Sequence, residues 1–360
     1  MHAGIVGRSA IAFAFLITVA LAPAPAQQLE WRQQAGAAPA VAGALAYDSS
    51  RGVTVLFNAA GETWEGDGTT WTQRAATAPG FWLPDYCFAM VYDAVRQVTV
   101  LFNGCGVDVE TWEWDAMSWV QRTVPGPPER TWHAVAYDTA QGVSVLFGGF
   151  TSGKEFLSDT WEWDGTSWTE RMVGGPSPRA VHSMAYDAAR GVTVLFGGAI
   201  DGANSDETWE WDGTNWTQRM VAGPLARWDR SPMAHDGARG VAVLVRNRPG
   251  GPAWGETETW EWDGTSWTQR IITGTSPRHA NAMPYDAARH AAVLLGDGFW
   301  ELGVVCRADI NDDWRVDSQD FFDFLTAFLA AEPASDFNRD LVMDSQDFFE
   351  FLRAFFAGCE

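Results

Sequence analysis

Two patterns of apolar and polar residues alternate along most of the chain. One is a short run with little polarity, as in Val53-Thr-Val-Leu-Phe57 and Val192-Thr-Val-Leu-Phe196. Such a β-branched, apolar run suits a strand buried on both faces. The other alternates large aromatic and polar residues, as in Thr208-Trp-Glu-Trp211. Period two predicts a strand. Asp212-Gly213 then predicts a tight hairpin turn, and Trp216-Thr-Gln-Arg219 a second short strand. A further apolar stretch ending in Tyr-Asp precedes each buried run, for example 181–186, joined to it by a turn such as Asp187-Ala-Ala-Arg-Gly191. One unit therefore predicts four strands.

The unit recurs. Its landmark aspartates are Asp48, Asp93, Asp138, Asp187, Asp236 and Asp286, at spacings of 45 to 50 residues. Four strands per repeat of this length is the pattern of a β-propeller blade. Five units are complete. The sixth runs through Ala291-Ala-Val-Leu-Leu295 and Phe299-Trp-Glu-Leu302 and stops before its fourth strand. Leu29-Glu-Trp31-Arg-Gln-Gln matches the missing Trp-Thr-Gln-Arg element. The expectation is a mainly β protein with six blades, in which the N-terminal strand completes the last blade and closes the ring, leaving no long open edge.

The repeat also explains the tryptophans. Most of the 21 fall at three repeated positions, and a large aromatic required in nearly every blade is there to pack blade against blade. Asp159-Thr-Trp-Glu-Trp-Asp-Gly-Thr-Ser-Trp168 is read as architecture, not as an aromatic binding platform.

Several pieces of the repeat resemble the kelch motif, the family that includes the propeller of galactose oxidase. These are Pro178-Arg179 and Pro277-Arg278, His182, Phe147-Gly-Gly149 and Phe196-Gly-Gly198, and the Trp that opens each fourth strand. The resemblance covers about residues 28–303. The glycine pair is lost in four units, at Asn58-Ala, Asn103-Gly, Arg246-Asn and Gly296-Asp, so those loops do not follow the family.

In a propeller of this kind one face carries the short, repeated turns and the other the variable connections. The long variable ones here are 150–156, 199–206 and 246–254. Loop variety on a rigid scaffold is where function is usually placed. Trp82, Trp132, Trp228 and Trp254 lie in or beside these connections, together with Tyr86, the one tyrosine outside the Tyr-Asp element. These five aromatics are the candidate site for a glycan or a protein. A copper site like that of galactose oxidase needs two tyrosines, two histidines and a crosslinking cysteine. No such set assembles, because five of the six tyrosines are repeat residues and His133 and His182 share one repeat position. No paired carboxylates, nucleophile elbow or zinc spacing stands out. The chain reads as a binding protein, with an anchored carbohydrate-active or oxidase enzyme as the alternative.

After Cys306 the pattern changes. Two segments repeat 27 residues apart, each leading into a helical apolar period. Oxygen-bearing residues stand at loop positions 1, 3, 5, 9 and 12: Asp309, Asn311, Asp313, Asp317 and Asp320, then Asp336, Asn338, Asp340, Asp344 and Asp347. Position 7, Arg315 or Val342, offers a backbone carbonyl. This donor set suits calcium. The segment resembles a dockerin of the kind that ends Gly358-Cys359, a duplicated calcium-loop module that attaches extracellular proteins to cohesin partners. The resemblance implies that positions 10 and 11 (Ser318, Gln319, Ser345 and Gln346) face the partner. One departure matters. Position 6, normally Gly, is Trp314 and Leu341, and a non-glycine residue at positive φ costs roughly 1 kcal/mol or more.

Charge and targeting complete the picture. The net charge of −22 argues against nucleic acid, whose phosphates need a basic stripe. Arg8, the apolar run 10–21 and Ala24-Pro-Ala26 form a signal-peptide pattern with cleavage after Ala26. The expected organisation is a signal peptide (1–26), a propeller (27–303) and a dockerin-like module (304–360), in a secreted or surface-attached protein with no membrane span after cleavage. Four cysteines in an exported chain suggest two disulfides in one of three pairings. Cys306 with Cys359 is favoured, and Cys87 and Cys105 flank one hairpin.

Overall fold

The computed structural model describes residues 28–34, 42–74, 79, 84–106, 109–247, 257–272, 275–330, 332–338 and 342–357. The strands form six four-stranded sheets and one small two-stranded hairpin, Ala199–Ile200 with Ala203–Asn204. Five follow chain order. The sixth is built from Leu29–Gln33, Phe299–Val304, Ala291–Leu295 and Tyr285–Asp286, with the N-terminal strand outermost. The protein is a six-bladed β-propeller followed by two helices, α1 (Ser318–Leu329) and α2 (Ser345–Ala357).

The inner strands line a central channel, and each apolar second strand is buried; Val194 and Leu195 are fully so. The hydrophobic clusters run between blades. Phe57 of blade 1, for example, packs with Met90 and Trp119 of blade 2. Trp114, Trp163, Trp211 and Trp262 are at most 2% exposed. Burying one indole removes roughly 200 Å² from water, about 5 kcal/mol, so these rings are the main cohesion between blades. The first Trp of each motif behaves differently. Trp64, Trp112 and Trp161 are half-buried, and each donates to an acidic residue two positions earlier in the chain.

A polar lattice fixes where the indoles sit. Asp48 caps its turn by accepting from the backbone N–H of Ser50 and Arg51, and it pairs with the Arg51 guanidinium at 2.6 Å. Arg51 reaches on to Glu65, the buried Glu of the Trp-Glu motif. Arg74 of the fourth strand holds the other oxygen of Glu65 at 2.7 Å, and Trp114 of the next blade donates to Glu65 at 3.1 Å. Glu113 has the same partners in Arg96, Arg122 and Trp163, and Glu210 in Arg190, Arg219 and Trp262. A second set of bonds runs from fourth-strand indoles to threonines of the preceding blade, Trp119 to Thr63 at 2.7 Å and Trp168 to Thr111 at 2.8 Å.

Two elements differ from the sequence expectation. The inner strand expected over 181–186 forms only over Ser183–Asp187, because Val181 has φ 60° and turns away from the ladder. In blade 6 the inner strand shrinks to Tyr285–Asp286, preceded by Pro284, which has no N–H to donate to a ladder. Cys87 and Cys105 are bonded, with Cα atoms 5.2 Å apart. Cys306 is also in a disulfide; its expected partner, Cys359, lies outside the described residues.

Blade 3 carries Gln141 where its neighbours have the turn arginine, and there Glu162 Oε1 and Trp211 Nε1 have no hydrogen-bond partner. Gln141→Arg is expected to raise stability by about 1 kcal/mol, read from denaturant unfolding followed by Trp fluorescence. Glu113→Ala, which strands two arginines and an indole, is expected to lower it by about 3 kcal/mol. Equal midpoints for both variants and the wild type would overturn this account of the lattice.

Candidate functional site

The channel along the propeller axis has a volume of about 500 Å³. Its wall is the edge of the six inner strands, and Trp132, His133, His182, Arg230 and Asn281 stand along it. Trp132 (φ 52°) and Val181 (φ 60°) occupy equivalent left-handed positions in blades 3 and 4. This backbone is costly for a β-branched residue. In return the Trp132 N–H donates to the Tyr86 carbonyl at 2.8 Å, and the Val181 N–H to the Trp132 carbonyl at 2.9 Å. Three adjacent blades are thereby stitched together around the channel.

These turns gather the aromatics. Tyr86 and Trp132 lie with ring centroids 5.1 Å apart, Trp132 and Trp228 6.1 Å apart, and Trp132 and Phe150 6.5 Å apart. Phe156 closes the group, 4.8 Å from Phe150 and 6.4 Å from Trp228. Trp228 is 53% exposed, so the cluster offers an open ring face to solvent. Of the five aromatics singled out from sequence, the structure unites Tyr86, Trp132 and Trp228. Trp82 and Trp254 lie outside the described residues. Phe150 and Phe156 complete the cluster without having been selected. They bound one of the variable loops and pair in register across its hairpin.

His133 and His182 are structural. Their rings sit edge-on to Phe102 and Phe147 of the preceding blades, with centroids 5.0 and 5.4 Å apart. None of their ring nitrogens makes a hydrogen bond that meets normal geometry. Burial, then the charge of Arg179, pushes His182 down to about 3, and burial with the charge of Arg130 holds His133 well below its ordinary range. Neighbouring Arg130 and Arg179 are themselves fully buried. Arg130 grips Asp159 with two nitrogens at 2.8 and 2.7 Å, and Arg179 pairs with Glu207.

A search of family models finds none that matches, and no curated protein matches. A solved structure titled "Structure of YjhT" does, with a TM-score of 0.52 and 12% identity, over 75% of this chain and 94% of that one. The likeness is one of fold.

In the C-terminal module both loops end on a buried carboxylate. Asp320 accepts from the backbone N–H of Ile310, Asn311 and Asp317, and with Asp317 forms a capping box at the start of α1. Asp347 accepts from Asn338 at 3.0 Å and Asp344 at 2.9 Å, the same arrangement one repeat on. At the head of the first loop, Asp309 accepts from the N–H of Asp313 and Trp314. Burial, with added repulsion from Asp320, pushes Asp309 up to about 6. Trp314 has φ 68°, so the sharp turn normally assigned to glycine is made despite the bulky side chain. Among the described residues no three Asp, Glu, His or Cys side chains are grouped closely enough to hold a metal ion by themselves. The first loop fits a hard cation in the kind of donor it offers, all oxygen, with Asn311 and the Arg315 carbonyl completing the set. In the second loop Asp340 and Leu341 lie outside the described residues. Ser318, Gln319, Ser345 and Gln346 are exposed at the two helix N-termini. Among the described residues no helix is long and apolar enough to cross a membrane.

The two histidines give the propeller a defined acid response. Each is neutral in the fold, whereas in the unfolded chain it takes up a proton near pH 6.5. Their contribution is fully present above pH 6.5 and is lost as pH falls from there toward 3. His182→Asn, which copies Asn281 of blade 6, is expected to flatten the fall in stability between pH 6.5 and 4 by roughly 1 kcal/mol or more. A pH profile parallel to that of the wild type would overturn the assignment.

Proposed function

We propose that this is an exported binding protein. Its propeller presents the Tyr86–Trp132–Trp228 cluster to a glycan or protein, and its C-terminal module is a calcium-dependent dockerin-like anchor for a cohesin-type or cell-surface partner. The propeller is taken as kelch-type. Arg179 of the Pro178-Arg179 pair, buried and bonded to Glu207 of its own blade, and His182, edge-on to Phe147 of the preceding blade, support that reading.

One observation carries the anchoring function. The module has a two-fold internal symmetry, and its symmetric surface is open and apolar. Phe324 and Phe351, 27 residues apart, stack at 4.0 Å with planes 6° apart. On the face of each helix turned away from this buried pair, the equivalent Phe322 and Phe349 are 58% and 65% exposed, and Leu329 and Phe356 are 77% and 79% exposed. Phe322 and Phe349 each lie one helical turn beyond an exposed Ser-Gln pair. Large apolar side chains displayed in duplicate mark an interaction surface. In the first loop, calcium would be held by Asp309, Asn311, Asp313, Asp317, Asp320 and the Arg315 carbonyl. In the second it would be held by Asp336, Asn338, Asp340, Asp344, Asp347 and the Val342 carbonyl. By drawing the loop carboxylates together and neutralising them it would fix both helix starts.

For the propeller face a glycan is favoured, because the exposed face of Trp228 beside Trp132 suits stacking against a sugar ring.

Calorimetry on the full chain is expected to show two calcium-binding events. With calcium bound, Phe322→Ser or Phe349→Ser alone is expected to leave binding to a cohesin-type domain within about tenfold of wild type, since either half of a symmetric surface can serve. The double variant is expected to lose it. Full binding by the double variant would refute the docking surface. Trp228→Ala is expected to weaken glycan binding at least tenfold, followed by titration of intrinsic fluorescence with an oligosaccharide panel.

A further inference from the structure

The sixth blade departs from the repeat at three positions that converge on one residue of the C-terminal module. In blades 1 to 5 the buried Glu of the third strand is held by an arginine at the end of the fourth: Arg74, Arg122, Arg171, Arg219 and Arg270. In blade 6 that position is Gln34, which turns to Glu301 Oε1 beside Arg289. The other oxygen, Oε2, instead accepts the indole N–H of Trp314 at 3.0 Å. The second departure is Gly303, where the other blades have the turn aspartate. The chain does not turn here but continues along the N-terminal strand, pairing Gly303 with Glu30 and Val304 with Leu29. A Cβ on Gly303 would lie 2.4 Å from the Trp314 ring, so the close approach requires glycine. The third is Arg32, in register with Glu301 where the other blades carry Thr72, Val120, Thr169, Thr217 and Thr268. Its guanidinium lies 3.8 Å from the Trp314 ring centroid and reaches Asp312 Oδ1 at 2.9 Å, the Asp312 carbonyl at 3.1 Å and Asp309 at 3.5 Å.

Trp314 is 5% exposed, buried between the ring-closing strand and its own loop. It also occupies loop position 6, where a side chain of this size brings backbone strain at φ 68°. A tethered module folding independently of the propeller has no use for that strain. A residue that must reach Glu301 does.

We propose that the module is a clasp on the propeller: Trp314 stands in for the missing arginine at Glu301, so that cation binding in the first loop and closure of the ring are one linked equilibrium. This rests on the calcium reading given above. A cation that binds only the ordered loop stabilises every contact the ordered loop makes. Here those contacts hold the strand Leu29–Gln33 against Phe299–Val304, the one seam where the ring is closed by distant parts of the chain.

The test is hydrogen exchange on the full-length protein with and without calcium, with calcium binding measured in parallel by calorimetry. Calcium is expected to slow exchange in Leu29–Gln33 and Phe299–Val304 at least tenfold and to leave Val143–Phe150 of blade 3 unchanged. Trp314→Gly should separate the two roles. It restores the loop glycine, so calcium binds several-fold tighter, yet the added protection of the closing strands is lost. Should that variant fail to fold, Arg32→Ala carries the same expectation for protection. Calcium binding without any change in the closing strands overturns the clasp and leaves the calcium reading intact. No binding at millimolar calcium overturns both. A full calcium response in folded Trp314→Gly removes Trp314 as the link.

Discussion

At three junctions between blades a buried glutamate of one blade accepts an indole N–H from the next. Glu65, Glu113 and Glu210 are all at most 3% exposed, and an unpaired carboxylate there would be prohibitive. Two arginines of the same blade neutralise it, and one of these is fixed by the turn aspartate. The motif therefore works as a unit. The aspartate sets the turn, the turn aims the arginine, the arginine permits the glutamate, and the glutamate orients the next Trp. The apolar area of the indoles supplies most of the cohesion, while the polar lattice sets the angle at which blade meets blade.

The two ends of the chain meet where this lattice is incomplete. Blade 1 has Gly66 at the position of the bridging indole, and blade 6 has Gln34 at the position of the arginine. Glu301 would be left short of donors at the ring's closing seam. Gln34 supplies one donor and Trp314, from outside the repeat, another. The module's first loop is thus in contact with the propeller at the place where the repeat fails, and the proposed link between cation and ring closure follows from that placement.

The channel face obeys a different economy. Trp132 and Val181 accept left-handed backbone conformations, and the inner strand is shortened as a result. The strain is offset by inter-blade backbone hydrogen bonds, and it places Trp132 within reach of Tyr86, Phe150 and Trp228. A rigid rim displaying an exposed ring is the arrangement a stacking ligand needs.

Much of this was legible in the chain. The period of the Tyr-Asp element gave the number of blades, and the orphan Leu29-Glu-Trp31 segment gave the mode of closure, because register and turn chemistry are local. The aspartate spacing marked both acidic loops for the same reason. Which variable aromatics share a cluster was not legible: Phe150 and Phe156 join Trp132 only through a backbone turn at φ 52° that no local pattern announces. Nor was the meaning of Trp314. In sequence it is a misfit at a loop position that wants glycine. Only the closed ring, which brings residues 32, 301 and 314 together across almost the whole chain, shows what its side chain is for. Local hydrogen bonding and alternation of polarity determine the blades, whereas contacts between residues far apart in sequence exist only once the ring has closed.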